Sequence, residues 1–304
     1  MYHRWMSVGG FVILLAALWL VAEHFGVASQ APPLAFVSAA LLLAPYWAFG
    51  FGFRPNFSTP VARMLGACLL LLPYLAGGKF RIGMFAGLLG VVLGVTALLE
   101  WGREIGPWLV LIILALAVES QVFDQAWVVP GLSALPKLMM VDLGLYGFLV
   151  VRPIGGIGYD FRPHVRDFGI GLREFLFFTP IALVLGLATA FLHVHPTLPT
   201  PWHFAAGWIF TLFFIAVPEE LFFRGLLLNL LERKIGTRNA IAVSSVLFGL
   251  AHFNKRAAYF NWRYVVLAAI AGVFYSRAWL DRRRVLTSSV THATVDTVWS
   301  IWLR

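Results

Sequence analysis

The stretch Gly207-Trp208-Ile209-Phe210-Thr211-Leu212-Phe213-Phe214-Ile215-Ala216-Val217-Pro218-Glu219-Glu220-Leu221-Phe222-Phe223-Arg224-Gly225-Leu226-Leu227-Leu228 is an apolar run broken at its middle by two adjacent carboxylates and an arginine. About 20 apolar residues in a helix cross ~30 Å of hydrocarbon, so the run reads as a membrane span. A charge at the centre of a bilayer costs at least ~2.5–3.5 kcal/mol on insertion scales, and residues retained at that cost mark function by default. Glu219, Glu220 and Arg224 therefore need a reason.

The rest of the chain has the same apolar character. Of 304 residues, 60% are hydrophobic and 12% are charged, half the charge of about 25% usual in soluble domains. The mean hydropathy is +0.83. Apolar runs near 8–28, 32–52, 61–78, 83–99, 106–128 and 132–151 precede others near 174–194, 203–231, 240–258, 264–280 and 285–303. They predict an all-α, polytopic transmembrane helical bundle of about 11 spans. The first run is too long for the core of a cleaved signal peptide and reads as a retained span.

A polar connector from Arg152 to Arg173 contains Gly155-Gly156-Ile157-Gly158 and Phe161-Arg162-Pro163. It divides the chain into a six-span region, 1–151, whose role the sequence leaves open, and a membrane domain over 174–304. The formal net charge of +9 lies mostly between the runs, where Lys and Arg set orientation; it does not indicate nucleic-acid binding. Counted over alternate connections, these charges favour an N-terminus inside and a C-terminus outside. Cys68 stands alone, which excludes an intramolecular disulfide, and it reads as a packing residue. Gly83, Gly87, Gly90 and Gly94 form a small-residue stripe that predicts close helix contact. Glu23, Glu119, Asp124 and Asp142 are isolated acids in or near spans, and Lys137 is within pairing reach of Asp142.

The chemistry gathers in the last five runs. Glu220 and Arg224 are four apart on a helix and share a face, so an ion pair is available. Glu219 sits about 100° round the helix and points elsewhere. Pro218 is expected to kink the helix and free a carbonyl beside Glu219. Phe248-Gly249-Leu250-Ala251-His252 sets one histidine on an apolar helix, with small neighbours that let another chain approach. His292 and Asp296, four apart, address one point. Taken singly, each element also reads as packing or a local ion pair. Measured along their spans, however, Glu219, His252, His292 and Asp296 all lie roughly 10–18 Å below one membrane face, at 1.5 Å per residue. A carboxylate and an imidazole at one depth can activate a water for attack on a carbonyl. A second histidine with a polar partner can stabilise the oxyanion. Alternatively, Glu219, His252 and His292 could ligate one zinc ion with a water in its open position. The sequence does not choose between metal-assisted and metal-free hydrolysis.

Other intramembrane hydrolase signatures are missing. No HExxH occurs. Gly131-Leu132-Ser133-Ala134 lacks the last glycine of a serine-protease motif, and Tyr159-Asp160 lies in the polar connector without a partner span.

Glu219-Glu220-xxx-Arg224, Phe248-xxx-His252 and His292-xxx-Asp296 resemble the three motifs of the CPBP family, the CAAX prenyl endopeptidases and their bacterial relatives linked to bacteriocin processing and self-immunity. The resemblance runs over roughly 169–304, less than half of the chain. It implies a glutamic-type intramembrane endopeptidase, long described as a metalloprotease, in a multi-pass protein of a bacterial inner membrane. Carried onto this chain, Glu219 and His252 activate the water, His292 and Asp296 stabilise the oxyanion, and Glu220, Arg224 and Phe248 support the site. Implied partners are the lipid bilayer and a peptide or membrane-protein C-terminal tail, prenylated or not. Asp296 departs from the family pattern, which commonly has Asn there. A carboxylate donates a hydrogen bond only when protonated, so Asp296 would instead orient His292 or bind metal. Two rival readings are a proton-coupled transporter, which predicts related halves with broken helices, and a non-catalytic immunity-type membrane protein.

Overall fold

The structure, a computed structural model, describes residues 2–24, 26, 33–77, 80–126, 134–255 and 259–303. Lys79, Arg256 and Arg304 of the loop charges, Gly131-Leu132-Ser133, and the matching ends of several expected runs lie outside the described residues. The described residues are helical with no strand. They form two compact units, Met1–Gly155 and Gly156–Arg304.

The first unit holds α1 (Tyr2–His24), α2 (Pro33–Gly50), α3 (Pro60–Cys68), α4 (Leu72–Gly77), α5 (Ile82–Trp101), α6 (Gly106–Glu119) and α7 (Ala134–Tyr146). A tightened turn over Leu69–Leu71 joins α3 to α4, and a widened one over Gly147–Val151 extends α7. Apolar side chains such as Leu42, Leu43, Val92, Val95 and Leu143 fill the interior. Sparse polar ties cross between helices: Ser38 donates to the Pro73 carbonyl at 2.7 Å, Arg63 pairs with Glu100 at 2.6 Å, and Tyr146 donates to the Arg63 carbonyl at 2.6 Å.

Two expectations fail in this unit. The glycine stripe on α5 is not a helix contact: a Cβ at Gly83, Gly90 or Gly94 would meet nothing within 4 Å, and one at Gly87 only Phe123 at 3.7 Å. The helix packs instead through Leu88, Val92, Val95 and Leu99, whose larger apolar area gains more from burial. Asp142 is buried, but its Oδ1 has no hydrogen-bond partner and it makes no ion pair with Lys137.

The second unit holds α8 (Val165–Ala188), α9 (Pro201–Thr211), α10 (Val217–Glu220), α11 (Asn229–Leu250), α12 (Trp262–Arg282) and α13 (Val285–Trp302). Helix α8 starts at Val165, well before the expected run at 174, so the later half of the polar connector is helical. The earlier half is tied into the same unit. Asp160 accepts from Arg284 at 2.9 Å, and the Ile157 carbonyl accepts from Trp279 at 3.3 Å. Asp167, fully buried, accepts from Thr287 at 2.7 Å and Arg284 at 3.1 Å, joining the start of α8 to the start of α13. Arginines that read as loop charges are thus partly consumed in fixing this end of the unit.

Among the described residues, six helices are long and apolar enough to cross a membrane: Ser7–His24, Pro60–Gly77, Ile82–Trp101, Val165–Ala188, Pro201–Leu250 and Trp262–Arg282. This differs from the expected count of about 11. Leu34–Gly50 and Gly106–Glu119 are apolar but shorter. Pro201–Leu250 merges two expected runs, which Gly236 separates through a backbone break at φ 76°, ψ 163°, a conformation open to glycine. Helix α13 has the length, but Thr287, Ser288, Ser289, Thr291, His292 and Asp296 make it too polar. The exposed faces suit a lipid solvent: on α8, Leu172, Leu176, Phe177 and Val184 point outward, while Glu174 and Gly171 are buried.

Candidate active site

Glu219 and Glu220 sit on α10, a single helical turn between two widened stretches, Leu212–Ala216 and Leu221–Leu228. The Val217 N–H bonds to the Leu212 carbonyl, five residues back. Pro218 therefore does not break the helix; the turn before it widens to absorb the ring and the missing N–H. Such i→i+5 turns are rare and recur at functional sites. The stretch before α10 shifts the register of the side chains that follow it, with Glu220 buried and Glu219 only partly so.

Glu220 and Arg224 make the ion pair their spacing allows, Nη1 to Oε1 at 2.9 Å, with both side chains 0% exposed. A buried pair needs further partners to offset its desolvation. Arg224 Nη2 donates to the Gly272 carbonyl at 3.0 Å. Its guanidinium also lies 4.5 Å from the Phe248 ring centre and 5.3 Å from that of Tyr275, where an aromatic face attracts a cation.

The same Glu220 Oε1 accepts from His292 Nδ1 at 2.9 Å, so the carboxylate assigns a proton to Nδ1. The imidazole stacks on Tyr275 with centroids 4.6 Å apart and planes at 16°. Phe248 meets it edge-on at 5.6 Å. Two aromatic neighbours and one short bond fix the ring. Its Nε2 then faces Asp296 Oδ2 at 3.4 Å and Glu219 Oε2 at 3.8 Å. Glu219 Oε2 is buried and lacks a hydrogen-bond partner. A native protein seldom leaves such an oxygen unsatisfied, and a water is the usual partner.

His252 stands in the turn just past α11, where its Nδ1 lies 2.8 Å from the Phe248 carbonyl. A carbonyl only accepts, so Nδ1 carries the proton and Nε2 is an acceptor. Close packing brings this helix end to α12: a Cβ at Gly249 would meet the Val265 carbonyl oxygen at 2.5 Å. His252, His292 and Asp296 share the wall of a cleft otherwise lined mostly by apolar and aromatic side chains such as Phe178, Ala268 and Trp299. One end is closed by the segment after α8. Phe191 stacks on Trp299 at 5.8 Å, and the His195 N–H donates to the Trp302 carbonyl at 2.8 Å.

The structure thus brings Glu219, Glu220, His292 and Asp296 around one imidazole and sets His252 in the same cleft as His292 and Asp296. Glu219 does not line the cleft; it reaches that wall through His292. Tyr275 and Gly272 were not singled out from the sequence, since an aromatic and a glycine in an apolar run carry no distinguishing signal. Among the described residues no group of three or more His, Cys, Asp or Glu side chains has the arrangement to hold a metal ion. Glu219, His252 and His292 are not gathered as a ligand set here.

Residues 201–298 match the family model described as type II CAAX prenyl endopeptidase Rce1-like. No curated protein and no solved structure matches the chain. The matched residues contain all three motifs, Glu219-Glu220-xxx-Arg224, Phe248-xxx-His252 and His292-xxx-Asp296. The similarity covers about a third of the chain, and within it the motif residues Glu219, Glu220, Phe248, His292 and Asp296 meet around one imidazole.

Proposed function

We propose that this protein is an intramembrane endopeptidase that hydrolyses a peptide bond of a membrane-associated substrate with a water activated by Glu219 and His252. The observation that carries the reading is the buried, unsatisfied Oε2 of Glu219, 3.8 Å from an imidazole that a second carboxylate and an arginine hold in place. Glu219 takes a proton as the water oxygen bonds to the scissile carbonyl carbon. His252 Nε2 accepts from the same water and orients it. The oxyanion that forms is met by Nε2 of His292 acting as the second N–H donor of an imidazolium, Nδ1 being committed to Glu220; at 3.4 and 3.8 Å neither carboxylate commits that edge to a short bond. On collapse the C–N bond breaks, and Glu219 returns its proton to the leaving amine. Donors aimed at an oxyanion are worth about 2.7–4 kcal/mol each in known cases.

The apolar cleft suits an apolar peptide segment or a lipid-modified tail, and a prenylated CAAX-like tail in a bacterial inner membrane fits the family match. No step in this reaction runs through a metal. The test is cleavage of a membrane-peptide library by purified protein and by its Glu219→Ala and His252→Ala variants. Both variants should lose cleavage while retaining the wild-type melting temperature; unchanged cleavage in either overturns the water-activating pair. Repeating the assay after stringent chelation tests the zinc alternative, and proton flux in proteoliposomes tests the transporter.

A further inference from the structure

We infer that the basic end of the second unit is a docking surface for anionic phospholipid headgroups, separate from the candidate active site and independent of the protease reading. The helices of this unit have unlike ends. At one end, ion pairs join the start of α8, the break in α11 at Gly236, the end of α12 and the start of α13: Arg173 to Asp281 at 2.9 Å, Arg283 to Glu232, and Arg284 to Asp167 at 3.1 Å. At the other, Trp202, Tyr259, Phe260 and Trp262 are exposed, as aromatic side chains are at a membrane boundary.

The basic end carries more cations than its acids can match. Arg173 and Arg277 are balanced by Glu174 and Asp281. Around the connector, however, Arg162, Arg166, Arg282 and Arg284 share Asp160 and Asp167, which leaves a surplus of two positive charges among the described residues. At the α11 break, Arg233, Lys234, Arg238 and Arg283 share Glu232, a surplus of three. Exposed charge of one sign attracts ions of the other from outside the molecule.

Exposed apolar side chains select the source of that anion. Val165, 90% exposed, stands beside Arg166, and Phe168 is exposed three residues on. Ile235, also exposed, lies between Lys234 and the Gly236 break. Setting membrane orientation asks only for charge and does not account for apolar side chains among the cations. Such side chains insert between headgroups whose phosphates the cations meet, and they gain nothing from a free anion in water. The surface also lies at the right depth, at the ends of the apolar helices Val165–Ala188 and Trp262–Arg282.

The test uses the full chain reconstituted in phosphatidylcholine bilayers with a trace of spin-labelled phosphatidylglycerol or spin-labelled phosphatidylcholine. The motionally restricted part of each spectrum gives the relative association of the two lipids with the protein. At low salt the anionic lipid should associate roughly 2–5-fold more strongly. Salt at about 1 M, where the Debye length is ~3 Å, should bring the ratio close to one. The fourfold variant Arg166→Gln, Arg233→Gln, Lys234→Gln and Arg238→Gln should lose the preference without added salt, and Arg263→Gln at the opposite end should keep it. Equal association of both lipids with wild type overturns the inference, as does an unchanged preference in the fourfold variant. If that variant fails to fold, Arg166→Gln and Arg238→Gln, each a single exposed side chain, carry the same test with a smaller drop. Loss of the preference on adding millimolar inorganic phosphate at constant ionic strength identifies a soluble-anion site and also overturns it.

Discussion

The two units treat buried polarity in opposite ways. Among the described residues, the first buries Ser38, Thr96 and Asp142 as its polar side chains, while the second buries Asp167, Glu174, Glu220, Arg224 and His292 along with a row of serines and threonines on α13. In the first, Ser38 and Thr96 satisfy nearby carbonyls at 2.7 and 2.8 Å, and Asp142 Oδ1 is left alone. In the second, the acids are paired with arginines or a histidine: Glu174 with Arg173 and Arg277, Asp167 with Arg284, Glu220 with Arg224 and His292. Burying charge is tolerated where opposite charge and hydrogen bonds meet it. Such networks concentrate in the unit that carries the three motifs, so polar substitutions there should cost activity and stability, and comparable changes in the first unit should not.

The largest effect tests that contrast directly. Glu219→Ala and His252→Ala should each lower kcat by about 10²–10⁴-fold, the range for loss of a general base or its partner, measured by peptide cleavage at saturating substrate. Arg224→Ala should destabilise by about 3–5 kcal/mol, since Glu220 would stay buried without its cation; thermal unfolding in detergent reads this out. Gly249→Val drives a side chain toward the Val265 carbonyl and should cost about 1–3 kcal/mol, with cleavage falling as His252 shifts. A smaller effect is expected at Asp160. Partial burial raises its pKa, but hydrogen bonds from the side chain and backbone of Arg162 and the charge of Arg284 outweigh this and lower it overall. Its folded value therefore lies below the unfolded value of about 3.9. The stability it adds is present above that pH and is lost as pH falls through the folded value. Melting curves below about pH 4 should show this loss, and Asp160→Asn should abolish that part of it. Smallest of all, Asp142→Leu should leave cleavage at the wild-type rate and shift stability by no more than about 1–3 kcal/mol in the stabilising direction, because it removes an unpaired buried acid. A loss of cleavage on Asp142→Leu would break the contrast between the units.

Much of the second unit was legible before any coordinates. The i,i+4 spacing of Glu220 and Arg224 foretold their ion pair, because one turn of a helix sets that distance regardless of surroundings. The same held for His292 and Asp296. Apolar run length located the helices well, with α12 at Trp262–Arg282 against the expected 264–280. Three features escaped. The start of α8 was hidden because its first turns are polar and basic, and they become helical through Asp167 and its contacts with α13. Pro218 read as a kink because its local chemistry removes a hydrogen bond; the widened turn satisfies the backbone in another way. The glycine stripe of α5 read as an interface because small residues permit close approach without compelling it.

By itself the sequence determined the helical class, the lipid-facing character of the chain and the chemical inventory of the site. Hydrophobic runs and periodicity are properties of one segment in its solvent, and they need no neighbour to be read. Tertiary structure alone decided that Glu220, 72 positions from His292, would hold its Nδ1, that Tyr275 would support the ring, and that two carboxylates would meet at Nε2. The physical reason is that helix spacing fixes neighbours along one helix only. Which face of another helix arrives beside them depends on side-chain packing between segments far apart in the chain.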